Sequence, residues 1–209
     1  MPRPSNTEER RAQIAGALVK VMAKHGYEGA SIADIARTAQ LTPGLVHYHF
    51  KNKQEILLEA LRQLTARQLD RLDDRLRRAA PDPGAELAAL IDFHLGLGAD
   101  ADAEALACWV LLGGEALRHR KVQAAYEKAL AALALRVGEA IRRGVAAGAF
   151  RCDDVDAAAS AVVAAIQGYF VLAASARSVI PRGTAAGCTK QMVDGLLHPV
   201  RPLARRKRA

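Results

Sequence analysis

Two short helical segments separated by a tight turn, within residues 31–53, constrain the fold of this chain more than any other feature. Ser31-Ile-Ala-Asp34 reads as a capping box that opens the first segment, with the aspartate in the place a glutamate usually takes. Thr42-Pro43 reads as an N-cap followed by proline at the first helical position. Because the second segment begins only a few residues after the first must end, the spacing predicts a helix-turn-helix.

The remaining sequence carries the same kind of helix signals. Ser5-x-x-Glu8 opens a first helix that ends at Gly26, and Asn52-Lys-Gln-Glu55 opens a long fourth helix that continues to Arg78. No segment alternates apolar and polar residues as a strand would. Glycine and proline breaks leave further helical blocks near residues 84–97, 101–121, 122–147, 153–178 and 184–198. We therefore expect an all-α protein.

Proline and glycine mark the predicted domain boundary. Pro81 and Pro83-Gly84 follow the fourth helix, and a proline there cannot extend it. The fourth helix then connects two modules. We expect an N-terminal helix-turn-helix domain over residues 1–52, a linking helix over 52–78, a larger helical domain over 79–200 and a basic, disordered tail over 201–209.

Charge is distributed unevenly along the chain. The formal net charge is +8, and the excess of Lys and Arg lies in the N-terminal section and in the tail, while the middle is slightly acidic. This asymmetry fits a protein that presents one end to a polyanion. With 51% hydrophobic and 25% charged residues, the composition excludes intrinsic disorder and fibrous folds.

The second short segment has the two faces of a DNA-reading helix. Val46 and Phe50 form its inner face, and Gly44 near its N-terminus lets the backbone approach the bases. The segment can therefore lie in a major groove. Its outer face and the residues that follow offer hydrogen-bonding groups and charge to phosphate oxygens: His47, Tyr48, His49, Lys51 and Lys53.

Over residues 8–64 the chain resembles the TetR family of transcriptional regulators. The resemblance rests on Ile-Ala-Asp-Ile-Ala over 32–36, the turn, and the Gly-x-x-x-Tyr-His-Phe-x-Asn-Lys run that begins at Gly44. It implies a three-helix domain that binds double-stranded operator DNA. His47 stands where members often carry tyrosine, and Ala33 lacks a polar side chain that some members have. The predicted DNA-binding residues are Ser31, Thr42, Pro43, Gly44, Leu45, His47, Tyr48, His49, Lys51 and Lys53.

The larger domain is similar to the C-terminal domain of the BetI-like subgroup. The similarity rests on the runs 109–118, 148–150, 153–158 and 167–168, and it implies that the last two helices form a homodimer interface. Small residues in the helix at 153–178 agree with this, because their spacing of four and three lets another helix approach closely. The predicted dimerisation residues are Ala157, Ala161, Ala165 and Gly168.

A small-molecule effector site is expected in the same domain. Aromatic side chains with a few polar groups line most such sites, although each of these residues can equally be ordinary core. His94 and Glu115 could orient a polar ligand, but a buried histidine bonded to a backbone carbonyl is the commoner outcome, and His119 lies in an exposed charge run. The candidates are Phe93, Trp109, Tyr126, Gln167, Tyr169 and Phe170.

Several other protein classes find no support in the sequence. It carries no HExxH, GxSxG, Walker or GxGxxG motif, so no enzyme, metal or cofactor is expected. Cys108, Cys152 and Cys188 are far apart, as free thiols in a reducing compartment would be.

The charged N-terminus predicts no secretory signal, and we expect a cytoplasmic protein. The uncharged run 157–176 predicts a buried helix rather than a membrane span, because alanine gives little drive for insertion.

Taken together, these patterns predict a homodimeric repressor that binds a pseudo-palindromic operator and leaves it when a small molecule binds. Two alternatives stay open. An activator of the same fold would have the same sequence features, and a helical scaffold module could use the basic N-terminal face to bind protein or RNA.

Overall fold

A computed structural model shows a helical protein, and it describes residues 6–78, 82–96, 103–201 and 203. Within these residues there is no strand, and the predicted all-α fold is confirmed. One short 3-10 helix, Arg177–Val179, lies between α8 and α9. The α-helices are α1 (Asn6–Gly29), α2 (Ile32–Thr38), α3 (Pro43–His49), α4 (Lys53–Arg77), α5 (Pro83–Leu95), α6 (Ala103–Ala116), α7 (Arg120–Ala146), α8 (Val155–Ser175) and α9 (Ala185–Leu197).

Side-chain caps start the helices of the helix-turn-helix where the sequence predicts them. Ser31 and Thr42 each accept a hydrogen bond from the backbone N–H three residues on, at 3.0 and 3.2 Å. At the start of α4, Asn52 Oδ1 accepts from the N–H of Glu55 (3.0 Å), and Glu55 Oε2 accepts from the N–H of Lys51 (2.9 Å). These bonds satisfy N–H groups that lack partners within the helix, and so they fix where each helix begins.

Two expected boundaries differ from the structure. Gly26 interrupts α1 with φ 69° and ψ 175°, but the helix resumes and ends at Gly29. Leu203 is buried, and its N–H donates to Asp194 Oδ1 at 2.8 Å, so the ordered chain extends beyond residue 201. The expected cap at Ser5, the break at Pro81 and residues 204–209 of the predicted tail lie outside the described residues.

The chain divides into two compact units. The N-terminal unit comprises Met1–Gln68 and Asp102–Lys128, so α6 and the first turns of α7 belong to it. In it α1 packs against α2, α3 and α6. Its core contains the fully buried side chains Ile14, Leu18, Met22, Ile35, Val46, Phe50, Ile56, Leu57 and Leu112. Burial of this apolar surface supplies most of the free energy that holds α2 and α3 in place.

The C-terminal unit comprises Leu69–Ala101 and Ala129–Ala209. Within it α5 packs against α8 and α9, and α8 packs against α9. A part-buried ion pair between Asp92 on α5 and Lys190 on α9, at 2.8 Å, fixes the register of these two helices. These compact units differ from the predicted division near residue 79, which rests on Pro81 and Pro83-Gly84 and stays a prediction.

Helix α8 is long and apolar enough to cross a membrane by length and composition, with a mean hydropathy of 1.8 over its most apolar stretch. A third of that stretch is buried within the chain. The core helix of a soluble protein passes the same test, so length and hydropathy are weak grounds for a membrane span. Its inward-facing side chains are Ala158, Ala159, Val162, Val163, Ile166 and Phe170.

Candidate DNA-binding surface and effector region

Helix α3 presents a small polar surface to solvent. Val46 is fully buried and Phe50, which ends the helix, is buried beside it, as their spacing of four predicts. The side chain of Tyr48 is 80% exposed, and its ring meets that of His49 edge-on, with 5.1 Å between ring centroids. The inner face therefore anchors α3, and the outer face is free to contact another molecule.

Nine of the ten residues predicted to bind DNA lie between Thr42 and Lys53, in α3 and at the start of α4, and Ser31 caps the N-terminus of α2. Leu45, His49 and Lys53 are half-buried. The exposed members are Ser31, Thr42, Pro43, Gly44, His47, Tyr48 and Lys51.

Gly44 has no structural need to be glycine. A Cβ built at this position meets no atom within 4 Å, and the residue lies in an exposed part of α3. Alanine is about 1 kcal/mol better than glycine inside a helix. Packing and helix propensity would therefore both tolerate a side chain here. The bare backbone at Gly44 leaves room for a ligand to approach the start of α3.

The hydroxyls of Ser31 and Thr42 already hold the helix N-termini. Ser31 Oγ also donates to Asp34 Oδ2 at 2.5 Å, and Asp34 forms an ion pair with Arg37. The hydrogen bond from Ser31, followed by the charge of Arg37, lowers the pKa of the Asp34 carboxyl. The carboxylate is thus kept charged at the N-terminus of α2, where it interacts favourably with the helix dipole.

The ammonium group of Lys53, which the sequence predicts to be free to bind phosphate, is engaged within the protein. Its Nζ donates to the carbonyl oxygen of Tyr27 at 2.7 Å and lies 4.3 Å from the centroid of the Tyr27 ring. A longer bond of 3.4 Å joins it to the carbonyl of Glu28. Lys53 must release these carbonyls before it can reach a phosphate, whereas Lys51 is exposed on the same turn.

Two side chains of α1 hold the C-terminal ends of the helix-turn-helix. Arg11 Nη1 donates to the carbonyl oxygen of His49 at 2.5 Å, and its guanidinium lies 4.0 Å from the centroid of the Phe50 ring. Gln13 Nε2 donates to the carbonyl of Ala39 at 2.6 Å, just after α2. The last carbonyls of a helix lack partners within the helix, and a cation there also opposes the negative end of the helix dipole.

The sequence gives no local signal for these contacts. Arg11 follows another arginine in an N-terminal charge run, which reads as solvated surface. Its acceptor lies 38 residues away in the chain, and that of Gln13 lies 26 residues away. Only the packing of α1 across α2 and α3 brings donors and carbonyls together.

Helix α6 contacts α1 through a polar cluster. Tyr27 is buried, and its ring packs edge-on against His119 with 6.2 Å between centroids. His119 Nε2 lies 3.5 Å from Glu115 Oε2, and Glu115 is buried. Burial first, then the charges of Glu115 and Glu28, raises the pKa of Tyr27 to about 12. His119 is thus half-buried within this contact, while Arg118, Arg120 and Lys121 of the same charge run are exposed, as predicted for the run.

The candidate effector residues fall into both units. Trp109 and Tyr126, in the N-terminal unit, pack with 5.0 Å between ring centroids. In the C-terminal unit, Phe93 and Phe170 each pack against the ring of His94, at 5.0 and 6.5 Å. Trp109 and Phe170 are buried, and the half-buried candidates are Phe93, Tyr126, Gln167 and Tyr169.

His94 has the structural role that a buried histidine most often has. Its Nδ1 lies 3.0 Å from the carbonyl oxygen of Leu90, one turn earlier in α5. Burial lowers the pKa of His94, against a smaller opposite effect of this hydrogen bond. The ring is therefore neutral near pH 7 and donates its Nδ1 hydrogen to the carbonyl.

The predicted dimerisation residues lie on the outer side of α8. Ala157, Ala161 and Gly168 are exposed, and Ala165 is half-buried. Ala164 and Val171 complete an exposed stripe with spacings of four and three. On α9, which packs against α8, Met192 and Leu196 are 58% and 47% exposed. The two helices therefore share an apolar face that stays exposed among the described residues.

Among the described residues no group of three or more His, Cys, Asp or Glu side chains is arranged to hold a metal ion. Cys108 is buried, Cys152 is half-buried and Cys188 is exposed, and none of the three forms a disulfide.

The fold and this surface define a helix-turn-helix regulatory protein, and comparison with known proteins identifies the family. Residues 14–60 match the family model of bacterial regulatory proteins of the tetR family, and residues 83–198 match that of the BetI-type transcriptional repressor C-terminal domain. The chain therefore belongs to the TetR family, with a C-terminal domain of BetI type. It is a DNA-binding transcriptional regulator, as expected, and its relatives are regulators rather than enzymes.

Individual relatives agree over most of the chain. The HTH-type transcriptional regulator BetI of Rhizobium meliloti is 28% identical over 82% of this chain and 81% of its own length. A putative transcriptional regulator from Saccharomonospora viridis, solved in complex with choline, has a TM-score of 0.76 at 26% identity, covering 90% of this chain and 95% of that one. A transcriptional regulator from Rhodococcus shares the fold, with a TM-score of 0.75 at 22% identity over 91% and 99% of the two chains.

Removing the Arg11 cap is expected to loosen α3. The substitution Arg11→Met loses a charge-assisted hydrogen bond and the contact with Phe50, so the free energy of unfolding of the N-terminal unit should fall by about 1–3 kcal/mol. Operator affinity should fall with it because the end of α3 frays. Arg10→Met removes the same charge from a half-buried arginine that bonds to Gln13 within α1, and it serves as the control in denaturant melts and gel shifts. Equal decreases in the free energy of unfolding and in operator affinity for both variants would show that the charge of Arg11 matters and its capping hydrogen bond does not.

Proposed function

We propose that this regulator is a cytoplasmic homodimer that represses transcription from a pseudo-palindromic operator and leaves the DNA when a small molecule binds. The observation that carries the proposal is the exposed face of α3, where Tyr48 and Lys51 flank a turn of helix whose inner side is locked by Val46 and Phe50. A rigid helix with a free polar face is what direct readout in a major groove requires.

The apolar face shared by α8 and α9 supports the homodimer. Its small residues let a second copy of α8 approach closely, and burying Met192 and Leu196 against that copy gains hydrophobic free energy. A two-fold axis would place two α3 helices in successive major grooves about 34–36 Å apart. That geometry matches a pseudo-palindromic operator.

Binding to DNA should depend on salt through the exposed lysine of the recognition region. We expect log K to fall linearly with log salt concentration, by about 0.9 for each phosphate that is neutralised. Lys51→Ala should make that slope shallower by about 2 in the dimer, one contact from each protomer, and should weaken binding to all sequences alike. The measurement is fluorescence anisotropy with labelled operator at several salt concentrations.

Lys53→Ala is the informative companion variant. Since its Nζ holds the carbonyl of Tyr27, this substitution should lower stability more than it changes the salt slope. An unchanged slope for Lys51→Ala would remove Lys51 from the interface. Competition by duplex RNA as effective as that by duplex DNA would favour the alternative of an RNA-binding scaffold, and a reporter whose output falls on deletion of the gene would favour an activator.

The dimer can be tested by placing a charge in the shared apolar face. Ala161 is exposed in the protomer, so Ala161→Asp should leave the protomer folded while it buries an unpaired carboxylate in the dimer. We expect monomers in analytical ultracentrifugation and a loss of operator binding. Ala131→Asp, at an exposed position on α7, is the matched control. A stable dimer of Ala161→Asp would place the interface elsewhere.

For the effector we propose a quaternary ammonium compound such as choline. The similar protein from Saccharomonospora viridis was solved in complex with choline. In this chain the Trp109 and Tyr126 rings pack at 5.0 Å, and faces of Trp and Tyr are the preferred partners of such cations. The hydroxyl of Tyr126 packs close to Gly113, where a Cβ would come within 3.3 Å, so this pair is fixed against α6.

Choline binding should be visible in the fluorescence of Trp109, the one tryptophan of the chain. We expect the emission to change over the same choline concentrations that release operator DNA, with a coupling of about 1–3 kcal/mol, or 5–150-fold in operator affinity. Ethanolamine, which lacks the methyl groups, is the control ligand. Trp109→Phe should keep operator binding and weaken the response. DNA release without a change in emission would separate the effector from this residue.

A further inference from the structure

We propose that the C-terminal half of α4 and α5 form a binding site for a nucleoside polyphosphate, taken free or as part of a larger cofactor. A cavity of ≈ 550 Å³, largely open to solvent, lies between the end of α4 and α5 within the C-terminal unit. Its volume falls in the range that small-molecule sites usually have. The lining residues are Arg71, Asp74, Arg75, Arg78, Ala89 and Phe93. This site goes beyond the proposed repressor function and does not depend on it.

Three arginines give the cavity its charge. Arg71, Arg75 and Arg78 follow one another at spacings of four and three, so they lie along one side of the end of α4 and of the turn that follows it, over about 10 Å. Among the described residues none of them is paired with a carboxylate, and all three are exposed. Guanidinium groups bind phosphate oxygens through two parallel N–H bonds, so such a row suits a ligand with two or more phosphates.

The acidic side chains near these arginines are engaged elsewhere. Asp74, which lines the cavity, is paired with Arg77, and Asp73 is paired with Arg136. On α5, Glu86 is paired with Arg143 and Asp92 with Lys190. The ion pairs of α4 and α5 thus satisfy four carboxylates with cations outside the cavity. These four carboxylates are therefore not free to neutralise the arginines of the cavity.

The opposite wall supplies an aromatic surface. Phe93 and Ala89 lie one turn apart on α5, and the guanidinium of Arg71 lies 6.0 Å from the centroid of the Phe93 ring. Phe93 is half-buried, so part of its ring is open to the cavity. A planar base can stack on this ring once Arg71 moves aside, while its phosphates reach along the arginines. Charge and aromatic surface in one cavity distinguish a nucleotide from a simple inorganic anion.

The site differs in chemistry from the proposed choline site. A quaternary ammonium ion would be repelled by three unpaired guanidinium groups. A negative result for the nucleotide site therefore leaves the choline proposal unaffected, and the reverse holds as well.

The test is isothermal titration calorimetry of the full chain with ADP, pyrophosphate and adenosine. We expect ADP to bind more tightly than either fragment. Arg75→Gln should weaken ADP and pyrophosphate at least tenfold. Phe93→Leu should weaken ADP and leave pyrophosphate unchanged. Asp74→Asn should strengthen the binding of ADP and of pyrophosphate several-fold, because it removes the one carboxylate in the lining. Tighter binding cannot result from a damaged fold, so this variant also controls for misfolding.

Two control variants separate this site from diffuse attraction. Arg120→Gln removes an exposed charge from α7, and Lys51→Ala removes one from the DNA-binding surface. Neither should change ADP affinity. The proposal is overturned if ADP gives no heat at millimolar concentration, or if the controls weaken ADP as much as Arg75→Gln does. If coenzyme A binds more tightly than ADP, and Arg75→Gln weakens it as well, the nucleotide is recognised as part of the larger cofactor.

Discussion

The DNA-reading surface depends on side chains that close the ends of helices too short to be stable by themselves. Helices α2 and α3 have seven residues each, and isolated helices of that length are not stable in water. Arg11 and Gln13 of α1 bond the carbonyls at their C-terminal ends, and Lys53 of α4 does the same for α1. Each helix of the helix-turn-helix is thus held at its end by a neighbour.

In this arrangement Lys53 has two possible roles that its one ammonium group cannot fill at the same time. Its ammonium group holds the end of α1, and its position at the start of α4 favours contact with phosphate. In the structure the ammonium group of Lys53 holds the end of α1. α1 also packs against α6, and its Tyr27 meets His119 in the turn after α6, so the DNA-binding helices are in contact with a helix of the BetI-type region. A change at α6 therefore has a physical route to the recognition region.

In the C-terminal unit some charged and apolar groups are paired within the unit and others stay exposed. Four carboxylates on α4 and α5 are neutralised by cations of the same unit. Among the described residues, by contrast, Arg71, Arg75 and Arg78 pair with no carboxylate, and the apolar face of α8 and α9 stays exposed. Unpaired charge in a cavity points to a ligand, and uncovered apolar surface beside small residues points to a second copy of the chain.

The sequence by itself determined the helices, their N-terminal caps and the outward face of α3, because these depend on residues three or four positions apart. Ser31, Thr42 and Asn52 start helices where the pattern predicts. Only the tertiary structure decided which donors close the C-terminal ends, that His119 lies against Tyr27 and that Lys53 is engaged. Those contacts join residues 26 or more positions apart, so no local pattern encodes them, and they exist only once the cores have packed.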